Sequence, residues 1–154
     1  MSGQAYQNTI RIRVNGLLVR EESLLLVKML SPVTNQHIWT PPGGGLEFEE
    51  SMEKCLIREF EEETGLRIAV EHLRYINELI STPYHALQFF FEVKEKGGTL
   101  QLGSDPEADA GDQILEDLRF IPFDLLGDYP IVPDYVADRF PRDFRSGRET
   151  IRFN

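Results

Sequence analysis

Glu59, Glu62 and Glu63 stand at positions i, i+3 and i+4 of the run Arg58-Glu59-Phe60-Glu61-Glu62-Glu63-Thr64-Gly65-Leu66. On a helix, at roughly 100° per residue, the three share one face within an arc of about 100°. Carboxylates so placed repel by about 0.2–0.5 kcal/mol per i,i+4 pair. Folding does not ask for that arrangement, and a bound divalent cation turns the repulsion into attraction. Carboxylates and a backbone carbonyl from the preceding glycine run, Gly43-Gly44-Gly45, make an all-oxygen site. Such a site suits Mg²⁺ or Mn²⁺ better than zinc. A metal of this kind activates water and screens phosphoryl oxygens, so a protein with a net charge of -10 can still handle a polyphosphate.

Helix signals surround the acidic run. Ser51 is a plausible N-cap, although Lys54 occupies the position where a capping box carries Glu or Gln. Met52, Cys55, Leu56 and Phe60 form an apolar stripe at helical spacing, which should pack on a sheet and leave the glutamates at its edge. Gly65 reads as the C-cap. The charge balance is concentrated here: between Gly44 and Leu66 eight glutamates face two cations, so six of the ten excess negative charges lie in this segment. A charge run is ordinarily a solvated face, but the shared face argues against that reading.

The remaining chain must supply the sheet. Thr9 to Val14 alternates as a strand does, and Asn15-Gly16 reads as a bulge or close backbone approach inside one long strand continuing through Leu17–Arg20. Glu21-Glu22-Ser23 is the better turn. Leu24 to Leu30 reads as a buried strand, residues 31–37 as a loop, and Ile38-Trp39-Thr40 as a short strand stopped by Pro41-Pro42. The glycine run after it reads as a loop free to turn sharply. Further strands are expected within Arg67–Ile80, over His85–Lys94 and over Leu118–Phe123, the last at an edge because of Pro122. Leu102 to Gln113 reads as a long acidic loop, Asp124 to Leu126 as a short helical turn, and Asp134 to Phe140 as a final helix. Hairpin-like pairs flank the main helix, so the fold class is α/β (α+β), a mixed β-sheet sandwiched between α-helices.

At 154 residues the chain fits one domain, here residues 1–141, followed by a polar, poorly packed tail over 142–154. The single cysteine, Cys55, excludes an internal disulfide and a multi-cysteine zinc site. The acidic balance argues against a duplex nucleic-acid partner. No apolar run is long enough to cross a membrane, and the N-terminus lacks a secretory pattern, so a reducing cytoplasm is the expected setting. A homodimer is compatible with all of this. His37, His72 and His85 are scattered and read as structural or surface residues. Trp39, Tyr84 and Phe91 could stack a base, but aromatics at strand spacing are more often core.

Gly44, then five residues, Glu50, then seven residues, then Arg58 to Leu66 resembles the complete box of the MutT-like Nudix hydrolases, with every fixed glycine and polar position present. Phe60 stands where an aliphatic residue is usual and should alter only the packing under the helix. Val14–Val19 also resembles the family's first long strand, and Trp39–Gly44 the usual approach to the box. The resemblance implies a Nudix fold and Mg²⁺-dependent hydrolysis of a nucleoside diphosphate linked to another moiety: a nucleoside triphosphate, ADP-ribose, a sugar nucleotide or a dinucleoside polyphosphate. It implies Glu59, Glu62 and Glu63 as metal-binding carboxylates, with the Gly43 carbonyl beside them. Arg58 and Glu50 would orient the helix and loop. Glu59 or a late-loop acid would accept the proton of the attacking water; Glu116 is the first choice, with Glu107, Asp109 and Asp112 as competitors. The alternative is a nucleotide-sensing domain without catalysis. The subfamily hints at the substrate, a proline or a tyrosine downstream of the box, cancel here because Pro83 and Tyr84 are neighbours.

Overall fold

A strand through Asn15-Gly16 is the spine of the molecule. In the computed structural model, which describes residues 6–103, 115–147 and 150–154, β1 (Ile10–Leu17) runs unbroken through that pair. The reason for glycine is proximity: a Cβ on Gly16 would meet the Phe60 ring at 2.7 Å. The strand does not continue to Arg20 as expected: it ends at Leu17, and Val19–Arg20 form β2, which pairs with β3 (Ser23–Leu30) in a second sheet and turns into it through Glu21 and Glu22, both at positive φ. β4 (His37–Thr40) follows the expected loop.

The glycine run is not a loop. Gly43–Gly45 form β5, antiparallel to β1 with Arg13 opposite Gly45, Val14 opposite Gly44 and Asn15 opposite Gly43. Glycine is needed for the approach: a Cβ on Gly43 would fall 2.1 Å from the Val14 carbonyl. Asn15 secures the preceding turn by donating from Nδ2 to the Pro41 carbonyl at 2.9 Å.

The helix α1 (Met52–Thr64) is capped as its sequence predicts. Ser51 accepts from the Lys54 N–H at 3.2 Å, and Gly65 closes the helix in the left-handed region at φ 74°. Cys55, Leu56 and Phe60 are fully buried against Val14, Leu18, Leu25 and Val93. β6 (Leu66–Ser81) and β7 (Tyr84–Gly98) form a long antiparallel pair, and β1 joins β7 in parallel. Among the described residues β8 (Leu115–Pro122) pairs only with β3, which agrees with the edge position read from Pro122. A 3₁₀ segment (Phe123–Asp128) leads to α2 (Asp134–Ser146).

The result is a five-stranded mixed sheet, in the order β5-β1-β7-β6-β9 with β9 formed by Arg152–Phe153, beside a smaller antiparallel sheet built on β3. α1 covers one side of the larger sheet. α2 lies over a second core formed by Leu24, Leu26, Trp39, Tyr75, Phe90 and Phe140, among others.

The C-terminal expectation needs correction. α2 does not stop at Phe140 but continues through Pro141 to Ser146, where Gly147 caps it in the left-handed region. Pro141 costs one intrahelical N–H bond, and the ring contacts of Phe123 with Phe140 and Phe144 hold the helix across it. Nor is the tail loose. Arg152–Phe153 form β9, parallel to β6, and Asn154 exchanges backbone bonds of 2.9 and 3.0 Å with Ile76 and Glu78. Backbone pairing on an open edge is indifferent to side-chain polarity, so composition did not reveal it. No described helix is long and apolar enough to cross a membrane.

Candidate active site

α1 delivers its glutamates onto β5. Glu59 and Glu63 are only 6% and 7% exposed, although each is a carboxylate. Glu63 Oε2 accepts from the Gly43 N–H at 3.2 Å. Glu59 lies against Gly44, where a Cβ would sit 2.3 Å from its Cδ. Any side chain at position 44 would expel that carboxylate, which is the physical reason for glycine there. Glu62, one turn from Arg58, is more open.

Arg58 is the cation among these acids. Its Nε and Nη2 grip Glu50 at 2.8 and 3.0 Å, and Nη1 reaches Glu59 at 3.0 Å and Glu62 at 3.5 Å. The fork on Glu50 holds that carboxyl below the usual range, and the cluster holds the guanidinium firmly protonated. Glu50 in turn accepts from the Glu47 N–H at 3.2 Å, tying the loop before α1 to the helix. Cys55 is buried beside the Gly45 carbonyl. Burial, with Glu50 and Glu59 close by, pushes its thiol up to about 12, so it is inert packing.

The donor set suits a hard divalent cation, because it is all oxygen and two of its carboxylates are buried against backbone. Among the described residues, however, no three acidic, histidine or cysteine side chains are already drawn around one point. Arg58 stands between Glu59 and Glu62 instead. A cation held here would share with that guanidinium the neutralisation of these carboxylates.

Glu116 lies elsewhere. It sits within β8 rather than ahead of it, 2.8 Å from His37 Nδ1 on β4 and 3.8 Å from Lys28 on β3. Among the described residues its partners are those two and not the α1 carboxylates. Glu107, Asp109 and Asp112 lie outside the described residues. His72 and His85 each face a glutamate, Glu92 and Glu78, as structural histidines do. Trp39 is buried in the core with Tyr129 edge-on at 5.6 Å. Phe91 packs under α1.

Two residues near the site escaped the sequence reading. Arg11 and Arg13 point to the face of β1 opposite the α1 core, toward a cavity between the two sheets that Tyr84 also lines. Arg11 packs against Gly45, where a Cβ would come within 3.0 Å of its Nη2. Alternating Arg-Ile-Arg reads from sequence as a solvated strand face, and only the opposing β3–β4 layer turns it inward.

The NUDIX domain model matches residues 9–140. A MutT-like protein of Streptomyces ambofaciens is 32% identical over 97 residues, which is 63% of this chain and 60% of that protein. An ADP-ribose pyrophosphatase of Methanocaldococcus jannaschii is 28% identical over 130 residues, 81% of this chain and 72% of that one. The chain thus spans about three-fifths of the first of these relatives. Among solved structures, the MutT protein of Methanosarcina mazei Go1 superposes with a TM-score of 0.71 at 20% identity, covering 92% of this chain and 97% of that one. With the family model spanning nearly the whole described body, from the start of β1 into α2, this chain belongs to the NUDIX domain family.

Proposed function

We propose that the chain is a pyrophosphohydrolase that uses a divalent cation, Mg²⁺ or Mn²⁺, to cleave the phosphoric anhydride of a nucleoside diphosphate linked to another moiety. The observation that carries this reading is the burial of Glu59 and Glu63 against Gly43 and Gly44. Two buried carboxylates are costly to hold beside each other at the edge strand of the larger sheet, and a cation with its phosphate would offset that cost.

Glu59, Glu62 and Glu63, with the Gly43 backbone, would hold the cation. When bound, it supplies charge neutralisation at the phosphoryl oxygens and a lowered pKa for water. Arg58 keeps Glu59 and Glu62 in place through Nη1 while its other edge anchors Glu50 and the loop. Glu59 is the better-placed acceptor for the proton of the attacking water, because it is held at the strand where the phosphates would lie. Glu116, engaged with His37 and Lys28, is the second candidate.

The relatives' names span MutT-like activity and ADP-ribose cleavage, which is the breadth of substrate to test. A panel of nucleoside triphosphates, ADP-ribose, sugar nucleotides and dinucleoside polyphosphates, each with Mg²⁺ and then Mn²⁺, should show phosphate-bond cleavage of at least one class. Glu62→Gln and Glu63→Gln should abolish most of it with the fold intact. Near-full activity in both variants would remove the metal-site assignment. Ligand-dependent stabilisation without cleavage of any nucleotide would instead make the chain a nucleotide-sensing domain.

A further inference from the structure

β5 is a wall one strand thick. Side chains alternate across a strand, so Gly44 and Gly45 open to opposite faces. On Gly44's side lies the Glu59 carboxylate, and on Gly45's side lies the Arg11 guanidinium. The cavity on the second side measures about 120 Å³. That is room for something like eight water-sized volumes, hence for one ring system rather than an entire nucleoside diphosphate. Its walls are mostly apolar, from Met29, Ile38, Leu79 and Val132, with the ring of Tyr84 at the rim.

Its charge is the reverse of the protein's. In a chain of net charge -10, the described residues put two arginines and no carboxylate in this lining. Arg11 stacks on the Tyr6 ring at 4.0 Å. Arg13, opposite Gly45 on one side and Gln88 on the other, keeps a buried Nε that has no hydrogen-bond partner. A buried guanidinium N–H without an acceptor is a standing cost that an anion would remove. Arginine's planar fork suits a phosphate better than any other side chain does.

Resting on the hydrolase reading above, we propose that Arg13, with Arg11 beside it, is the binding grip on the phosphate adjoining the nucleoside, whose ring occupies the apolar cavity. The anhydride to be cut then straddles β5, with cations of the protein on one face and carboxylates on the other. It follows that a nucleoside 5′-monophosphate, the fragment left by cleavage, binds at this face without any metal.

The test separates the two faces. Thermal shift and titration calorimetry are run in EDTA with each 5′-monophosphate (AMP, GMP, CMP, UMP), the matching unphosphorylated nucleosides and inorganic phosphate. At least one monophosphate should bind the wild type and Glu63→Gln equally, and more tightly than its nucleoside. Arg13→Gln should weaken that monophosphate at least tenfold while leaving the nucleoside unchanged, and Arg13→Lys should fall between. In turnover, Arg13→Gln should raise KM far more than it lowers kcat. The proposal is overturned if no monophosphate binds in EDTA, if the nucleoside binds as tightly, or if Arg13→Gln binds like the wild type. Should Arg13→Gln not fold, Arg13→Lys and the monophosphate–nucleoside difference decide it. Loss of the hydrolase reading looks different: metal-free binding persists while no substrate is cleaved with Mg²⁺.

Discussion

Arg58 and Arg13 flank the same glycine strand in opposite electrical circumstances. Arg58 is saturated, its guanidinium shared among Glu50, Glu59 and Glu62. Arg13 faces a cavity whose described lining carries no acid, with a buried Nε unsatisfied. A saturated arginine holds other groups still and has little left for a ligand. An unsatisfied one is poor at stabilising the fold and well suited to receive an anion. The contrast is the ground for the positioning role proposed on the α1 side and the recognition role proposed on the cavity side.

Removing a carboxylate from the α1 side should have the largest effect. Glu63→Gln or Glu62→Gln is expected to lower kcat by about 10²–10³-fold, the size of losing one preorganised electrostatic contact, with an unchanged far-UV spectrum. Gly44→Ala should do comparable damage through Glu59, because the added methyl would take that carboxylate's place. A fully active Gly44→Ala variant would mean that Glu59 need not lie on the strand.

Next comes Arg58→Met, which leaves Glu50, Glu59 and Glu62 without their shared cation. A loss of about 3 kcal/mol is expected, at the lower end for breaking a buried pair because this one is partly solvated. If the guanidinium holds the place of a metal charge, millimolar Mg²⁺ should raise the melting temperature of this variant more than that of the wild type. Equal shifts would break that equivalence.

Glu50→Gln should cost about 1–3 kcal/mol, the worth of a charge-assisted hydrogen bond. Its pH dependence has a definite sign. The folded-state pKa of Glu50 lies below its ordinary 4.5, so its contribution is complete above that pH and disappears as the pH falls through the folded value. The variant's stability should therefore be flatter than the wild type's on the acid side of about pH 4.5, measured by denaturant titration.

The smallest effects belong outside the acidic cluster. Arg13→Gln should change stability by no more than about 0.5 kcal/mol, as for a residue with little to lose on folding, while its binding defect is tenfold or greater. Glu116→Gln should lower kcat by less than about tenfold, since His37 and Lys28 already engage that carboxylate. A larger drop would move the proton acceptor from Glu59 to β8.

Local signals in the chain proved dependable where their cause is local. Ser51 and Gly65 bound α1 because cap chemistry depends on a few adjacent atoms, and Phe60 is buried because the stripe repeats every turn. Turns and edges followed similarly: Glu21-Glu22 reverses the chain and Pro122 keeps β8 at a margin. The glycine triplet misled, since a run with no side chains carries no strand pattern, and only β1 alongside it makes β5. The tail misled for the same reason, its order coming from backbone bonds to β6.

The sequence alone determined the make-up of one face: the spacing of Glu59, Glu62 and Glu63, the arginine within reach of them and the glycines before them, on which the proposed cation site rests. Tertiary structure alone decided what lies across the wall. Whether Arg11 and Arg13 meet water or a cavity depends on β3 and β4 packing opposite β1, and that pairing joins residues far apart in the chain, where periodicity holds no information.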